Sequence, residues 1–196
     1  MLTAKMALVI DCETTGLPVI GGGGHFLPPN ETKYYDCSRL IELGYAIISK
    51  KDNTLNIKNQ KSMLILPDNY VIKNSNIHGI EQDMAIENGK PINEIFDIFS
   101  KDLDKVHTVL AYNADFDVNV LLSEAYRYKC FDFIKKFKQK KFICVLKLAR
   151  KKLKLKSYKL INVYNTLYNT DVKQKHRTED DVKLCSEVFF KIKESN

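Results

Sequence analysis

The stretch Val9–Leu17, VIDCETTGL, decides the fold. A short apolar run, Met6–Ile10, stops abruptly at an acid, Asp11. An apolar run of this length reads as a buried strand, here Met6–Asp11. Asp11 and Glu13 stand two residues apart, and side chains at i and i+2 of a strand point to the same face. Two carboxylates forced to one side repel each other unless cations sit between them. Thr14, Thr15 and Gly16 then supply a turn. Taken alone, the pair reads equally well as a solvated strand end, so its meaning depends on the rest of the chain.

Outward from this strand, residues Thr14–Ser38 are rich in Gly, Pro and polar side chains. They predict a loop with Gly21–Gly24 as its flexible tip. No GK[ST] or GxGxxG pattern leads from those glycines into a helix, so a phosphate-cradling loop fits poorly and a flexible loop is favoured. Ile41, Leu43, Tyr45 and Ile47 alternate within Arg39–Ser49, the second strand. Leu55–Leu66 is the third, ended by Pro67-Asp68-Asn69. Connections this short make the three antiparallel. Helical patterns follow. Ile92, Ile95, Phe96, Phe99 and Leu103 fall at helical spacing behind Pro91. Thr108–Tyr112 is a short strand, and Asp115–Tyr128, Cys144–Leu153 and Ser157–Leu167 are helices. The last helix, Thr178–Lys193, turns Val182, Cys185, Val188 and Phe189 inward. A strand meander followed by alternating strands and helices predicts an α/β fold with a mixed sheet flanked by helices. No repeat and no interior linker divides the chain, so residues 1–196 read as one domain.

Two more clusters bring acids. In AYNADFDVNVL (Ala111–Leu121), Asp117 lies just inside a helix whose N-terminus favours negative charge. Asp115 suits a cap or first-turn role, and Asn113 suits either a cap or a substrate contact. In HRTEDD (His176–Asp181), the spacing is H-x4-D at the start of the last helix. Thr178 and Asp181 also fit a capping box. Asp180 and Asp181 diverge by about 100° on a helix, so only one of them faces a given site. Each cluster alone is compatible with a structural role. Together, Asp11, Glu13, Asp117 and Asp181 are the converging carboxylates that divalent cations require, with His176 as a candidate base.

Composition narrows the partners. A formal charge of +7, 44% apolar and 28% charged residues describe a soluble globular protein with a bias toward anions. No acid occurs between Phe133 and Thr170, whereas Lys and Arg crowd the tract from Lys135 to Lys159. Part of that tract is expected to contact nucleic-acid phosphates, with Tyr158 and Tyr164 available to stack on bases. No apolar run approaches the roughly 20 residues of a membrane-spanning helix. The run after Lys5 ends at Asp11 without a cleavage site, so no signal peptide is expected. Five scattered cysteines without CxxC spacing predict reduced thiols, an intracellular setting and no structural zinc.

With these motifs in place, the chain resembles the DEDDh-type 3′–5′ exonucleases, the family of the proofreading epsilon subunit of bacterial DNA polymerase III. VIDCETTGL resembles the first exonuclease motif, D-x-E-T-T-G; AYNADFDVNVL the second, commonly H-N-A-x-F-D; and HRTEDD the third, H-x4-D. RLIELGYAII (Arg39–Ile48), IHGI (Ile77–Ile80), CVLKLAR (Cys144–Arg150) and SYKL (Ser157–Leu160) extend the likeness from about Met6 to Lys191. Tyr112 stands where many members have His, Thr178 where many have Ala, and the Gly21–Pro29 insertion is longer than usual. That insertion is expected near the mouth of the active site.

The resemblance implies an RNase H-like fold: a five-stranded mixed sheet with helices on both faces. It implies two Mg²⁺ or Mn²⁺ ions held by Asp11, Glu13, Asp117 and Asp181, with His176 as general base. Thr14, Thr15 and Leu17 would meet the terminal nucleotide, and Asn113 and Phe116 would line the same pocket. The expected reaction removes nucleoside 5′-monophosphates from a single-stranded 3′ end, with DNA favoured over RNA. A polymerase partner fits this expectation. An RNA exonuclease of the same fold is the nearest rival, and side-by-side digestion of DNA and RNA separates the two. A non-catalytic nucleic-acid-binding or polymerase-docking module would keep the basic tract but need none of the acids.

Overall fold

In the computed structural model, which describes residues 6–174 and 176–194, β1 runs through Ala7–Thr14. It extends past the expected Met6–Asp11 because Glu13 still pairs with Glu42 of the neighbouring strand, and the register slips only between Glu13 and Thr14. β1 is the middle strand of a five-stranded sheet of order β3-β2-β1-β4-β5. β2 (Leu40–Lys51) and β3 (Thr54–Leu64) form an antiparallel hairpin against it. The turn between them places Asp52 and Asn53 at positive φ (49° and 57°), which these side chains tolerate. β4 (Thr108–Ala111) and β5 (Lys141–Cys144) join on the other side in parallel.

Strand alternation divides the core in two. Leu8, Ile10 and Cys12 of β1 face the same way as Leu43, Tyr45 and Ile47 of β2. After the short helices α1 (Ser75–His78) and α2 (Gln82–Asn88), the helices α3 (Ile92–Leu103), α4 (Ala114–Arg127) and α5 (Phe131–Lys138) cover that face. Their aromatic rings interlock, with Phe96 and Phe133 stacked at 4.2 Å between centroids. Val9, Ala46, Ile48 and Leu110 face the other way, under α6 (Val145–Lys152), α7 (Leu160–Tyr168) and α8 (Thr178–Glu194). The α/β class and the helices on both faces are as expected.

The short helices α1 and α2, and also α5 and β5, go beyond the sequence reading. Lysines on the outward positions interrupt both FDFIKKFK and KFIC, which leaves too short an apolar signal. The glycine-rich insertion also differs from the flexible tip expected of it. Ile20 bridges Phe26, the Gly21 N–H donates to the His25 carbonyl at 2.9 Å, and the Tyr35 hydroxyl donates to the Leu27 carbonyl at 2.6 Å. Phe26 packs near Phe116, with ring centroids 6.3 Å apart. The segment is a small pinned hairpin.

Buried acids in this framework come with cations. Glu124 receives the Arg39 guanidinium through Nε at 2.7 Å and Nη2 at 3.2 Å. Asp102 accepts from Lys61 at 2.8 Å, Lys105 at 2.6 Å and the Tyr45 hydroxyl at 3.0 Å. Burial alone would raise the Asp102 carboxyl, but these donors outweigh it and hold the group at about 2.

Candidate active site

The site forms where β1 ends. Asp11 and Glu13 lie on the β1 face that looks toward α8, opposite Gly44 and Glu42 of β2 respectively. Parallel pairing of β1 with β4 sets the start of α4 beside the end of β1. Asp117, in the first turn of α4, is buried there. Its Oδ1 accepts the Cys12 backbone N–H at 3.1 Å, so the peptide between the two β1 acids anchors the third.

The fourth acid arrives on α8. A Cβ at Gly44 would lie 2.3 Å from the Thr178 Cβ, so only glycine lets the first turn of α8 sit directly on β2. That contact delivers buried Asp181 and exposed His176 to the sheet. His176 takes a left-handed backbone conformation (φ 50°) as the chain turns into the helix. Ligand-type atoms of Glu13, His176 and Asp181 all fall within 4.8 Å of one another.

The same turn is tied down by a group that the sequence reading passed over. Glu42, fully buried on β2, accepts Arg177 through both carboxylate oxygens. It also accepts the Thr178 N–H at 3.1 Å and the Ser62 hydroxyl at 2.8 Å. Burial would raise its carboxyl, but these donors lower it below the ordinary carboxylate value. One signal was available: Glu42 is a charge inside the otherwise apolar strand LIELGYAII.

A cavity of about 720 Å³ opens over the cluster. Asp11, Glu13, Asp117 and Asp181 line it together with His176, Asn113 and Phe116. Burial is the first cause that raises all four carboxyls, and mutual repulsion adds to it. Asp11 is pushed well above the carboxylate range, with Asp117 and Asp181 as its main repelling neighbours. Glu13 rises to about 8, against which Arg177 exerts a small lowering effect. Asp117 rises to about 7 despite the Cys12 N–H. Asp181 rises as well, opposed by Gln174 and His176.

The donor set fits divalent cations. Asp181 Oδ2 accepts Gln174 Nε2 at 2.9 Å, but Oδ1 is buried with no hydrogen-bond partner. A buried carboxylate oxygen without a donor is costly, and a cation in the cavity would complete it. Hard carboxylate oxygens are the ligands that Mg²⁺ and Mn²⁺ prefer.

The remaining expected residues separate into groups. Asn113 heads α4 without a side-chain cap bond and faces the cavity. Phe116 lines the cavity and also packs on the core. Asp115 is a first-turn acid, exposed and paired with Lys147 at 2.6 Å. Thr178 lies inside α8 and its hydroxyl meets Ser62 Oγ at 3.1 Å, so the capping box is not formed. None of Thr14, Thr15 and Leu17 lines the cavity. The Thr14 hydroxyl donates to the Gly16 carbonyl at 2.7 Å. Thr15 is a buried tie: its hydroxyl donates to the Cys37 carbonyl at 3.1 Å and accepts the Arg39 N–H at 3.0 Å. Its own N–H donates to the Arg39 carbonyl at 2.9 Å, so Thr15 has no group left for a nucleotide. Leu17 is 77% exposed nearby. Tyr112, in place of the family's usual His, donates its hydroxyl to the Tyr158 carbonyl at 2.5 Å and so braces the approach to α7.

Comparison with known proteins agrees with this geometry. The RNase T family model, described as exonuclease, matches residues 8–189. The PolC-type DNA polymerase III of Thermotoga maritima is 29% identical over 188 residues, which are 95% of this chain and 12% of that protein. The chain therefore spans about an eighth of that relative's length. Among solved structures, exonuclease X in complex with 5′-overhanging duplex DNA superposes with a TM-score of 0.64 at 21% identity, covering 97% of this chain and 92% of that one. A 3′-exonuclease that recognises the 3′ end of a histone mRNA stem-loop gives a TM-score of 0.65 at 14% identity, covering 98% and 83%. The shared architecture is the RNase H-like fold.

Proposed function

Because the chain belongs to the exonuclease family, we propose that it hydrolyses the 3′-terminal phosphodiester of a nucleic-acid strand and releases nucleoside 5′-monophosphates. The carrying observation is the convergence of Asp11, Glu13, Asp117 and Asp181, with no Lys or Arg ion pair to any of them among the described residues, in one cavity with His176. Residues 1–196 would act as a single exonuclease domain.

Asp11, Glu13, Asp117 and Asp181 would hold two Mg²⁺ or Mn²⁺ ions. Such ions supply Lewis-acid neutralisation of the charge that develops at a scissile phosphate. His176 accepts the proton of the attacking water, a task suited to imidazole near neutral pH. Its exposed position at the head of α8 lets the ring reach the attacking side of the phosphate. Glu42 and Arg177 hold that turn in register with β1. Asn113 and Phe116 border the terminal nucleotide, and Leu17, exposed outside the cavity lining, remains a candidate contact beyond it. The PolC-type relative is a DNA polymerase, which favours DNA as the polymer and a polymerase as a working partner.

The test is digestion of 5′-labelled single-stranded DNA and RNA with Mg²⁺, Mn²⁺ or EDTA. A ladder shortening from the 3′ end, with mononucleotide product and no activity in EDTA, is expected. A ladder on RNA alone would reverse the polymer preference. No product with either metal would leave the non-catalytic binding module in its place.

A further inference from the structure

The basic tract between Lys135 and Lys159 does not act as one surface. Lys136 is committed to Asp104 at 2.7 Å and Lys147 to Asp115 at 2.6 Å. Lys138 donates to the Tyr126 hydroxyl at 2.6 Å and Lys140 to the Val106 carbonyl at 2.8 Å. Lys159 is the one member of the tract that lines the acid-bearing cavity among the described residues. Lys173 joins it on the same wall from the segment that precedes His176. Both side chains are exposed, and neither makes an ion pair or hydrogen bond among the described residues.

Their roots are fixed although their ammonium groups are free. The Lys159 carbonyl accepts the N–H groups of Asn162 and Val163, both at 3.0 Å. Tyr158 before it is held at both ends, by its hydroxyl to the Leu153 carbonyl at 2.8 Å and by Tyr112 on its own carbonyl. Leu160 after it is buried. On the other segment, Val172 is bound through its carbonyl and its N–H to the Asn165 side chain at 2.9 and 3.0 Å. Gln174 is bound to Asp181. A lysine is a point charge on a long flexible stem. Anchored in this way, each can sweep only the cavity mouth. Neither neutralises the acids, which the two would do if charge balance of the empty cavity were their purpose.

We propose that Lys159 and Lys173 form a phosphate-binding wall that holds the substrate strand by the backbone phosphates 5′ of the scissile bond. This rests on the cavity's accepting nucleic acid, as proposed above, and it assigns to two lysines what the tract as a whole only suggested. Phosphate contacts of this kind position a strand without reading its sequence. They also release counterions, at about 0.7 per phosphate for single strands, which appears as the salt dependence of affinity.

The experiment is fluorescence anisotropy of a labelled oligothymidylate bound to the protein in Ca²⁺ over a series of salt concentrations. Lys159→Gln, Lys173→Gln, the double variant, Lys159→Arg and a control, Lys135→Gln, are compared with wild type. Each single Gln variant is expected to weaken binding several-fold and flatten the log–log salt slope by about 0.7. The double variant should lose about twice that slope, Lys159→Arg should restore it, and Lys135→Gln should match wild type. In parallel, hydrolysis of the p-nitrophenyl ester of thymidine 5′-monophosphate, which has no upstream phosphate, should be unchanged in every variant. A wild-type slope in the double variant, or equal losses on the oligonucleotide and the small ester, overturns the assignment. Anisotropy needs no turnover, so a hydrolytically inactive wild type would sink the exonuclease reading and still leave the lysines to be judged by their slopes.

Discussion

At Glu124, Asp102 and Glu42 a buried carboxylate comes with its own cation; at Asp11, Glu13, Asp117 and Asp181 no Lys or Arg among the described residues forms an ion pair. The first three are met by Arg39, by Lys61 with Lys105, and by Arg177. Asp102 is held at about 2 and Glu42 is lowered. The second group, gathered around the end of one strand, contains Glu13 at about 8 and Asp117 at about 7. Burial raises the carboxyl in both groups, but at Asp102 and Glu42 the basic and hydrogen-bonding donors outweigh it, while at the four site acids repulsion adds to it. The difference is the source of the compensating charge. Acids that serve the fold bring it in the chain, and the four proposed site acids would take it from cations in solution.

The sharpest way to break this contrast is to remove one acid from each group. Asp11→Ala should lower hydrolysis by at least about a thousandfold, with a circular dichroism spectrum like wild type. Its Tm in EDTA should equal or exceed that of wild type, because one repelling carboxylate is gone. Arg39→Ala leaves buried Glu124 with only the more distant Arg127, at 3.8 Å, and the Leu40 N–H, and should cost about 3 kcal/mol in urea denaturation. Wild-type turnover in the first variant, or an undamaged fold in the second, would erase the distinction.

Removal of the proposed base gives the next largest effect. His176→Ala should lower kcat by about a hundredfold while the affinity for labelled single-stranded DNA changes little. Equal losses in both would assign His176 to binding.

Titration without metal separates the groups by sign. Glu13 binds its proton more tightly folded than unfolded. Its contribution is therefore fully present below its ordinary 4.5 and lost as pH rises through about 8. In EDTA, Tm should fall from pH 5 to pH 8, and Mn²⁺ should recover most at the alkaline end. Asp102 runs oppositely: its contribution is present above its ordinary 3.8 and lost as pH falls toward about 2. A Tm in EDTA that stays flat between pH 5 and 8 would contradict the repulsion among the four acids.

The smallest effect belongs to the tie at Glu42. Glu42→Gln keeps the shape but removes the charge opposite Arg177. It should lower kcat by about tenfold through misplacement of His176 and Asp181, with KM nearly unchanged. A change confined to KM would show that this tie holds substrate rather than the turn.

The sequence made the acids legible because carboxylates at the end of an apolar strand, inside a helix start and ahead of a final helix are each anomalous, and three anomalies in one order have few explanations. The alternating strands were legible for the same reason that they form: Ile41, Leu43, Tyr45 and Ile47 must choose a face. β5 was hidden because its four residues, Lys141–Cys144, are too few to show a period. The structural ties of Thr15 were not legible because a motif fixes which residues are near a site, not which way their hydrogen bonds run. Glu42 and Arg177 lie 135 positions apart, and neither residue alone reveals the other. Lys159 was unassignable within a tract of many lysines, and Lys173 lies outside that tract; only the folded chain brings the two to one cavity wall.

Gly44 and Thr178 carry a consequence for how this chain can vary over time. The two residues occupy one shared volume, since any β-carbon on Gly44 would fall at 2.3 Å from that of Thr178. A larger residue at either place must be answered at the other or by a retreat of the whole C-terminal helix. Strand and helix, remote in the gene, are thereby bound to drift as a pair, and a library randomised at both positions should return survivors only in matched combinations of size.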